Sequence, residues 1–181
     1  MPFIVLDTET TSKYRQKARV LQIAAVVDRY GKLVDKFSSY SNPGPDVLAD
    51  PDIAASLAVI GITIEQISKA PPERRVKNRF AKFLAKCPRA TLTSFNVDYD
   101  RTVLHTGGWP GAEHKWGPCI MLAAQKVMAA ADALPHLPNG GYKLPTLDEA
   151  AQFFLKDIQP RKHDALEDAI LAHRIWKEAT K

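Results

Sequence analysis

The chain has 181 residues, 45% hydrophobic and 25% charged, which is the length of one domain and the composition of an ordinary globular protein. Its net charge of +5 is compatible with an anionic partner, and its longest mostly apolar stretch, residues 53–62, is too short to span a bilayer, so no membrane association is expected. Cys87 and Cys119 are too few and too isolated for a disulfide framework or a cysteine zinc site, and the start of the chain lacks a secretory signal, so a cytoplasmic location is expected.

Phe3-Ile4-Val5-Leu6 is a continuous apolar run and predicts a strand buried on both faces. Residues 20–30 predict a second strand and 33–40 a third, with Gly31 and Lys32 turning between them. Ser41-Asn42-Pro43-Gly44-Pro45 breaks the pattern and marks a loop. Three short helices are expected next. The clearest carries Val76, Phe80, Phe83 and Leu84 on one face, with Arg75, Lys77, Arg79, Lys82 and Lys86 elsewhere. Those cations suit a solvated face better than a phosphate track. Residues 90–95 predict another strand and 97–105 a helix. A loop rich in Gly, Pro and Trp over 106–118 leads to a helix over 119–131. Three prolines and Gly140-Gly141 make 132–145 a second long loop, and the last helices are expected over 146–155 and 165–178. With no internal repeat or linker, residues 1–181 are expected to form a single mixed α/β domain.

Three acidic blocks carry the chemistry. Asp7-Thr8-Glu9-Thr10 follows the apolar run directly, and residues two apart on a strand share a face, so Asp7 and Glu9 point the same way. Adjacent carboxylates repel unless a cation lies between them, and oxygen ligands suit Mg²⁺ or Mn²⁺. The plainer reading is a solvated strand end. In Asn96-Val97-Asp98-Tyr99-Asp100, Asn96 is a good N-cap and Asp98 suits the first helical turn; Asp100, at the end of that turn, is less well explained by capping. In His163-Asp164-Ala165-Leu166-Glu167-Asp168, Asp164 and Glu167 have capping-box spacing. His163 and Asp168 then occupy the two positions that touch in a hydrophobic staple, here an imidazole and a carboxylate. That pairing suits a general base beside a metal ligand. Together the blocks supply four carboxylates and a histidine, the set used by two-metal sites that cleave phosphodiesters. No Walker-type loop, Cys/His metal spacing or serine nucleophile elbow competes with them. His105, His114, His136 and His173 have no patterned partners and are expected to be structural or surface residues.

In order, Asp-x-Glu-Thr, Asn-x-x-Tyr-Asp and His-x-Ala-x-x-Asp-Ala resemble the DEDDh branch of the DnaQ-like 3′–5′ exonucleases. Weaker similarity at Asn42-Pro43-Gly44, Gly61-Ile62-Thr63, Ala70-Pro71, Cys119 to Ala123 and Lys143-Leu144-Pro145-Thr146-Leu147 extends the resemblance over nearly the whole chain. It implies a ribonuclease H-like fold, a central mixed sheet flanked by helices. It also implies two metal ions, Mg²⁺ or Mn²⁺. Asp7, Glu9 and Asp168 would hold the first with the attacking water, Asp7 would bridge to the second near Asp100, and His163 would take the proton. Thr10 and Thr11 would lie near the terminal nucleotide, and Asn96 and Tyr99 beside it. Ser12 replaces a common Gly, Phe95 a common His before the Asn, and Ile60 a common His before Gly-Ile-Thr. Phe95 and Ile60 would offer apolar or stacking surface to substrate, or else pack in the core.

The expected activity is metal-dependent removal of nucleoside 5′-monophosphates from the 3′ end of single-stranded nucleic acid, with no obligate protein partner. The alternatives are a proofreading polymerase subunit, a 3′-end-trimming ribonuclease, and a binding module without catalysis. Filled catalytic positions weigh against the last. The family's polymerase-bound members usually carry an extra C-terminal segment, which weighs against the first. No residue type announces DNA over RNA.

Overall fold

The computed structural model describes residues 2–51, 53–156 and 163–181. Its frame is a four-stranded mixed sheet in the order β3-β2-β1-β4. β1 (Phe3–Thr10), β2 (Val20–Arg29) and β3 (Lys32–Tyr40) form an antiparallel meander, and β4 (Thr91–Thr93) lies parallel to β1. Helices α1 (Pro45–Leu48), α2 (Ile53–Ile60), α3 (Ile64–Ser68) and α4 (Glu73–Ala85) separate β3 from β4. After β4 come α5 (Val97–Thr106), α6 (Ile120–Ala130), α7 (Leu147–Leu155) and α8 (Ala165–Ala179).

Two elements depart instructively from the expected spans. β1 continues four residues past its apolar run, because Asp7, Thr8 and Glu9 stay paired with Ala24, Ile23 and Gln22 of β2 until the register shifts at Glu9/Thr10. The first acidic block is part of the strand, as the shared face of Asp7 and Glu9 requires. β4 is only three residues long. Its outer edge is covered by the 106–118 loop, where the Leu92 amide donates to Lys115 O (2.9 Å) and Gly117 N donates to Leu92 O (2.7 Å). Covering an edge strand in this way blocks edge-to-edge pairing with another chain. The region expected to hold three helices holds four, the extra one being the single turn α1 with Pro45 at its first position.

Each face of the sheet is sealed by its own apolar cluster. Ile4 and Leu6 pack with Val76, Phe80, Phe83 and Leu84 of α4 and with Val103 and Leu104 of α5. Val5, pointing the other way, packs with Ile120, Ala124, Met128 and the α8 residues Ala169, Ala172 and Ile175. The small residues on α8 let it lie close against β1 and β2. A third cluster joins Leu21 to α2 and α3 through Ile53, Leu57, Ile60, Ile62 and Ile67.

Several α4 cations turn out to be structural. Lys77 bonds Glu73 and the Gly107 carbonyl and lies over the Trp109 ring, Lys86 pairs with Asp35 at 2.9 Å, and Arg79 lies over Phe37. Those contacts tie α4 to β3 and to the end of α5. His173 is buried and bonds Asp28 at 2.7 Å, linking α8 to β2. Among the described residues, no helix is long and apolar enough to cross a membrane.

Candidate active site

Strand alternation decides where each residue of the first acidic block points. Phe3 and Val5 belong to the α6–α8 side of the sheet, and Ile4 and Leu6 to the α4–α5 side. Extending that period of two puts Asp7 and Glu9 on the α8 side, and Thr8 and Thr10 on the α5 side. The contacts agree. The Thr8 hydroxyl donates to Asp100 Oδ1 at 2.7 Å, and Thr10 Oγ1 bonds the Tyr99 hydroxyl.

The start of α8 is set against this strand by Gln22, the β2 partner of Glu9. Gln22 Nε2 donates to Asp164 Oδ2 (2.9 Å), and its Oε1 accepts from the Ala165 amide (3.3 Å). Asp164 caps α8 with its other oxygen, accepting from Leu166 N (2.9 Å) and Glu167 N (3.2 Å). Asp168 lies one turn in, and helical side chains lean back toward the N-terminus. A carboxylate oxygen of Glu9, one of Asp168 and a ring nitrogen of His163 consequently lie within 4.8 Å of one another. Both carboxylates are buried, Glu9 to 8% and Asp168 to 6% exposure, while His163 is exposed. His163 and Asp168 do meet across the helix start, with polar groups where a staple would be apolar.

Asp7 and Asp100 lie outside that trio. Asp7 is half-buried on the same face of β1 as Glu9. Asp100 is buried behind Thr8, and burial pushes its carboxyl up to about 6, against the lowering effect of the Thr8 hydroxyl bond. Asn96 caps α5 as expected, accepting from Tyr99 N at 3.3 Å. The Tyr99 hydroxyl is tied to Thr10 and to Ser12 O, and burial raises its phenol pKa. The Thr11 carbonyl accepts from Ser56 of α2 (2.7 Å), and its hydroxyl accepts from Arg19 N (3.0 Å). Phe95 is 9% exposed within the α6–α8 cluster and Ile60 is 7% exposed beside Leu21, so packing accounts for both apolar replacements.

Two contributors escaped the sequence reading. Thr8 carries no signal of its own in the sequence, yet it anchors Asp100. Gln22 had a visible signal: it is the one polar side chain in the buried run from Val20 to Val27. A buried amide needs partners, and here they are the cap and first amide of α8.

Chemically, the trio offers hard oxygen donors and one imidazole. Two buried carboxylates this close are stabilised by a cation between them, so the cluster suits a divalent ion. A mixed sheet flanked by helices, with Glu9 of an inner strand facing His163 and Asp168 at the start of α8, is a ribonuclease H-like fold. The RNase_T family model, described as exonuclease, matches residues 4–175, and the chain belongs to that family, within the DnaQ-like exonucleases. The PolC-type DNA polymerase III of Halalkalibacterium halodurans is 28% identical over 105 residues, covering 58% of this chain and 7% of that protein. The 3′-5′ exonuclease DinG of Bacillus subtilis is 28% identical over 168 residues, covering 90% of this chain and 16% of that one. The fold matches Escherichia coli exonuclease I, solved with a 5cy-dA13 oligonucleotide, with a TM-score of 0.73 at 18% identity over 97% of this chain and 40% of that chain. This chain therefore spans only a small part of its curated relatives.

Proposed function

We propose that this chain is a metal-dependent 3′–5′ exonuclease that releases nucleoside 5′-monophosphates from single-stranded nucleic acid. The observation that carries this reading is the convergence of Glu9, His163 and Asp168 within 4.8 Å, from a strand and a helix start far apart in sequence. Asp7, Glu9, Asp100 and Asp168 would hold two Mg²⁺ or Mn²⁺ ions. When bound, such ions supply positive charge to the scissile phosphate and lower the pKa of an attacking water. His163, exposed at the mouth of the cluster, would accept that water's proton in its neutral form. Gln22 and Asp164 hold the start of α8 so that His163 and Asp168 face β1. Thr8 fixes Asp100. The backbone at Thr10 and Thr11, braced by Tyr99 and Ser56, would meet the terminal nucleotide, with Asn96 alongside.

A 5′-labelled single strand should shorten stepwise from its 3′ end with Mg²⁺ or Mn²⁺, release nucleoside 5′-monophosphates, and stay intact in chelator. Internal cuts, or loss from the 5′ end, would overturn the proposal. Matched DNA and RNA strands in the same assay decide between a DNA exonuclease and a 3′-end-trimming ribonuclease. A second reading, proofreading beside a polymerase, is favoured by the PolC-type relative; it predicts co-purification with a polymerase. Our own reading is a single catalytic unit over residues 1–181, acting without an obligate partner. Its two free cysteines suit a cytoplasmic setting.

The basic loop after β1 sharpens the binding prediction. Arg15 pairs with Asp98 (3.0 Å) and Arg19 with Glu73 (2.7 Å), which leaves Lys13 and Lys17 without an ion pair among the described residues. Changing both lysines to Glu should flatten the plot of log affinity for a single strand against log salt by about 1.4, two phosphate contacts' worth. An unchanged slope would return the loop to a purely solvated role.

A further inference from the structure

We infer that Tyr14 forms a stacking subsite for the nucleobase upstream of the terminal nucleotide, with Lys13 and Lys17 on the adjoining phosphates. The inference rests on the nuclease reading and adds a binding subsite to it.

Tyr14 is 63% exposed and belongs to none of the three apolar clusters among the described residues. The fold has no packing use for its ring. The backbone beneath it is nevertheless held firmly. The Tyr14 carbonyl accepts from both Lys17 N (2.9 Å) and Ala18 N (3.1 Å), and its amide donates to Ser12 Oγ (3.1 Å). The base of the loop is closed by Thr11 N to Arg19 O and Arg19 N to Thr11 Oγ1, both 3.0 Å. Its flanks are pinned to the neighbouring helices by Ser56 to Thr11 O, Tyr99 to Ser12 O, and Arg15 to Asp98.

These anchors fix where the ring stands. Tyr99 and Asp98 open the helix that carries Asp100, and Ser12 follows Glu9 by three residues, so the loop rims the acidic cluster. The Lys13 ammonium lies 5.4 Å from the Tyr14 ring centroid. An exposed aromatic ring with one ammonium over its face, in a loop whose Lys13 and Lys17 carry no ion pair among the described residues, suits a single strand, which alternates flat bases with phosphates. Because the loop is ordered by its own hydrogen bonds, little conformational freedom is lost when a base stacks there. The other strongly exposed tyrosine, the hairpin-tip Tyr30, lies at the opposite end of β2 from Gln22, away from the acidic cluster.

The test compares a tetranucleotide with thymidine 5′-p-nitrophenyl phosphate, which has one base and, upstream of its phosphate, a nitrophenyl leaving group in place of a nucleoside. Tyr14→Ala should raise KM about 5- to 150-fold more for the tetranucleotide than for the nitrophenyl ester, the range for one lost stack. Most of that change should fall in KM, not kcat. Tyr14→Phe and Tyr14→Trp should restore it, and an abasic residue at the upstream position should remove the dependence on Tyr14. Equal penalties on the two substrates, or no penalty on the tetranucleotide, would overturn the subsite while leaving the nuclease reading intact. Failure of the wild type to hydrolyse either substrate with Mn²⁺ would defeat that reading, and the subsite with it.

Discussion

Replacing His163 with Ala should lower kcat by roughly 10²–10⁴-fold, the usual contribution of a positioned general base. The fold should survive, because His163 is exposed and lies outside the α8 helix that Asp164 caps. The geometry allows the imidazole two jobs, since its ring nitrogen is as close to the Glu9 and Asp168 oxygens as a metal ligand would be. Two measurements separate them. If His163 is the base, Mn²⁺ affinity measured by calorimetry stays close to that of the wild type while turnover falls. If His163 is a ligand, metal affinity and turnover fall together. Near-wild-type turnover in the variant would remove the residue from the mechanism.

Asp168→Asn should abolish turnover and remove most of the stabilisation conferred by metal. A cation that binds only the folded protein adds about 2.7 kcal/mol at a hundredfold excess over its dissociation constant. Thermal melting with chelator and with Mn²⁺ should show a clear upward shift in the wild type and a much smaller one in the variant. Asp100 gives this increment a pH dependence. Its carboxyl is raised from 3.8 to about 6 in the folded protein, chiefly by burial. In the metal-free protein, that group favours folding fully below 3.8 and loses its contribution as pH rises through about 6. A cation favours the ionised form, so the metal-induced shift should grow over the same window. A full shift in Asp168→Asn would mean that the carboxylates do not share one site.

Much of the local structure follows from local chemistry. Asn96, Thr146 and Asp164 each cap the helix that follows, as short polar side chains before apolar periodicity should. Val76, Phe80, Phe83 and Leu84 face the core together because helical spacing puts them on one stripe. Composition said less about charges and isolated apolar residues. Whether Lys77 meets solvent, a phosphate or Glu73 depends on what lies across from α4. Sequence favours core over a base platform for Phe95, and the packing of α6 and α8 around it decides the matter.

Local chemistry makes the candidate residues legible: Asp7 and Glu9 on one strand face, Asp100 in the first turn of one helix, and His163 and Asp168 around the start of another. Each rests on a period of 2 or 3.6 residues and on capping, which act over a few positions of chain. The tertiary structure alone decided which of these groups meet. β1 stays a strand through polar residues because β2 hydrogen-bonds it as far as Glu9. Gln22 then reaches 142 residues along the chain to hold Asp164, and with it the face of α8 that carries Asp168. Contacts of that range depend on how sheet and helices pack, and no local preference encodes them.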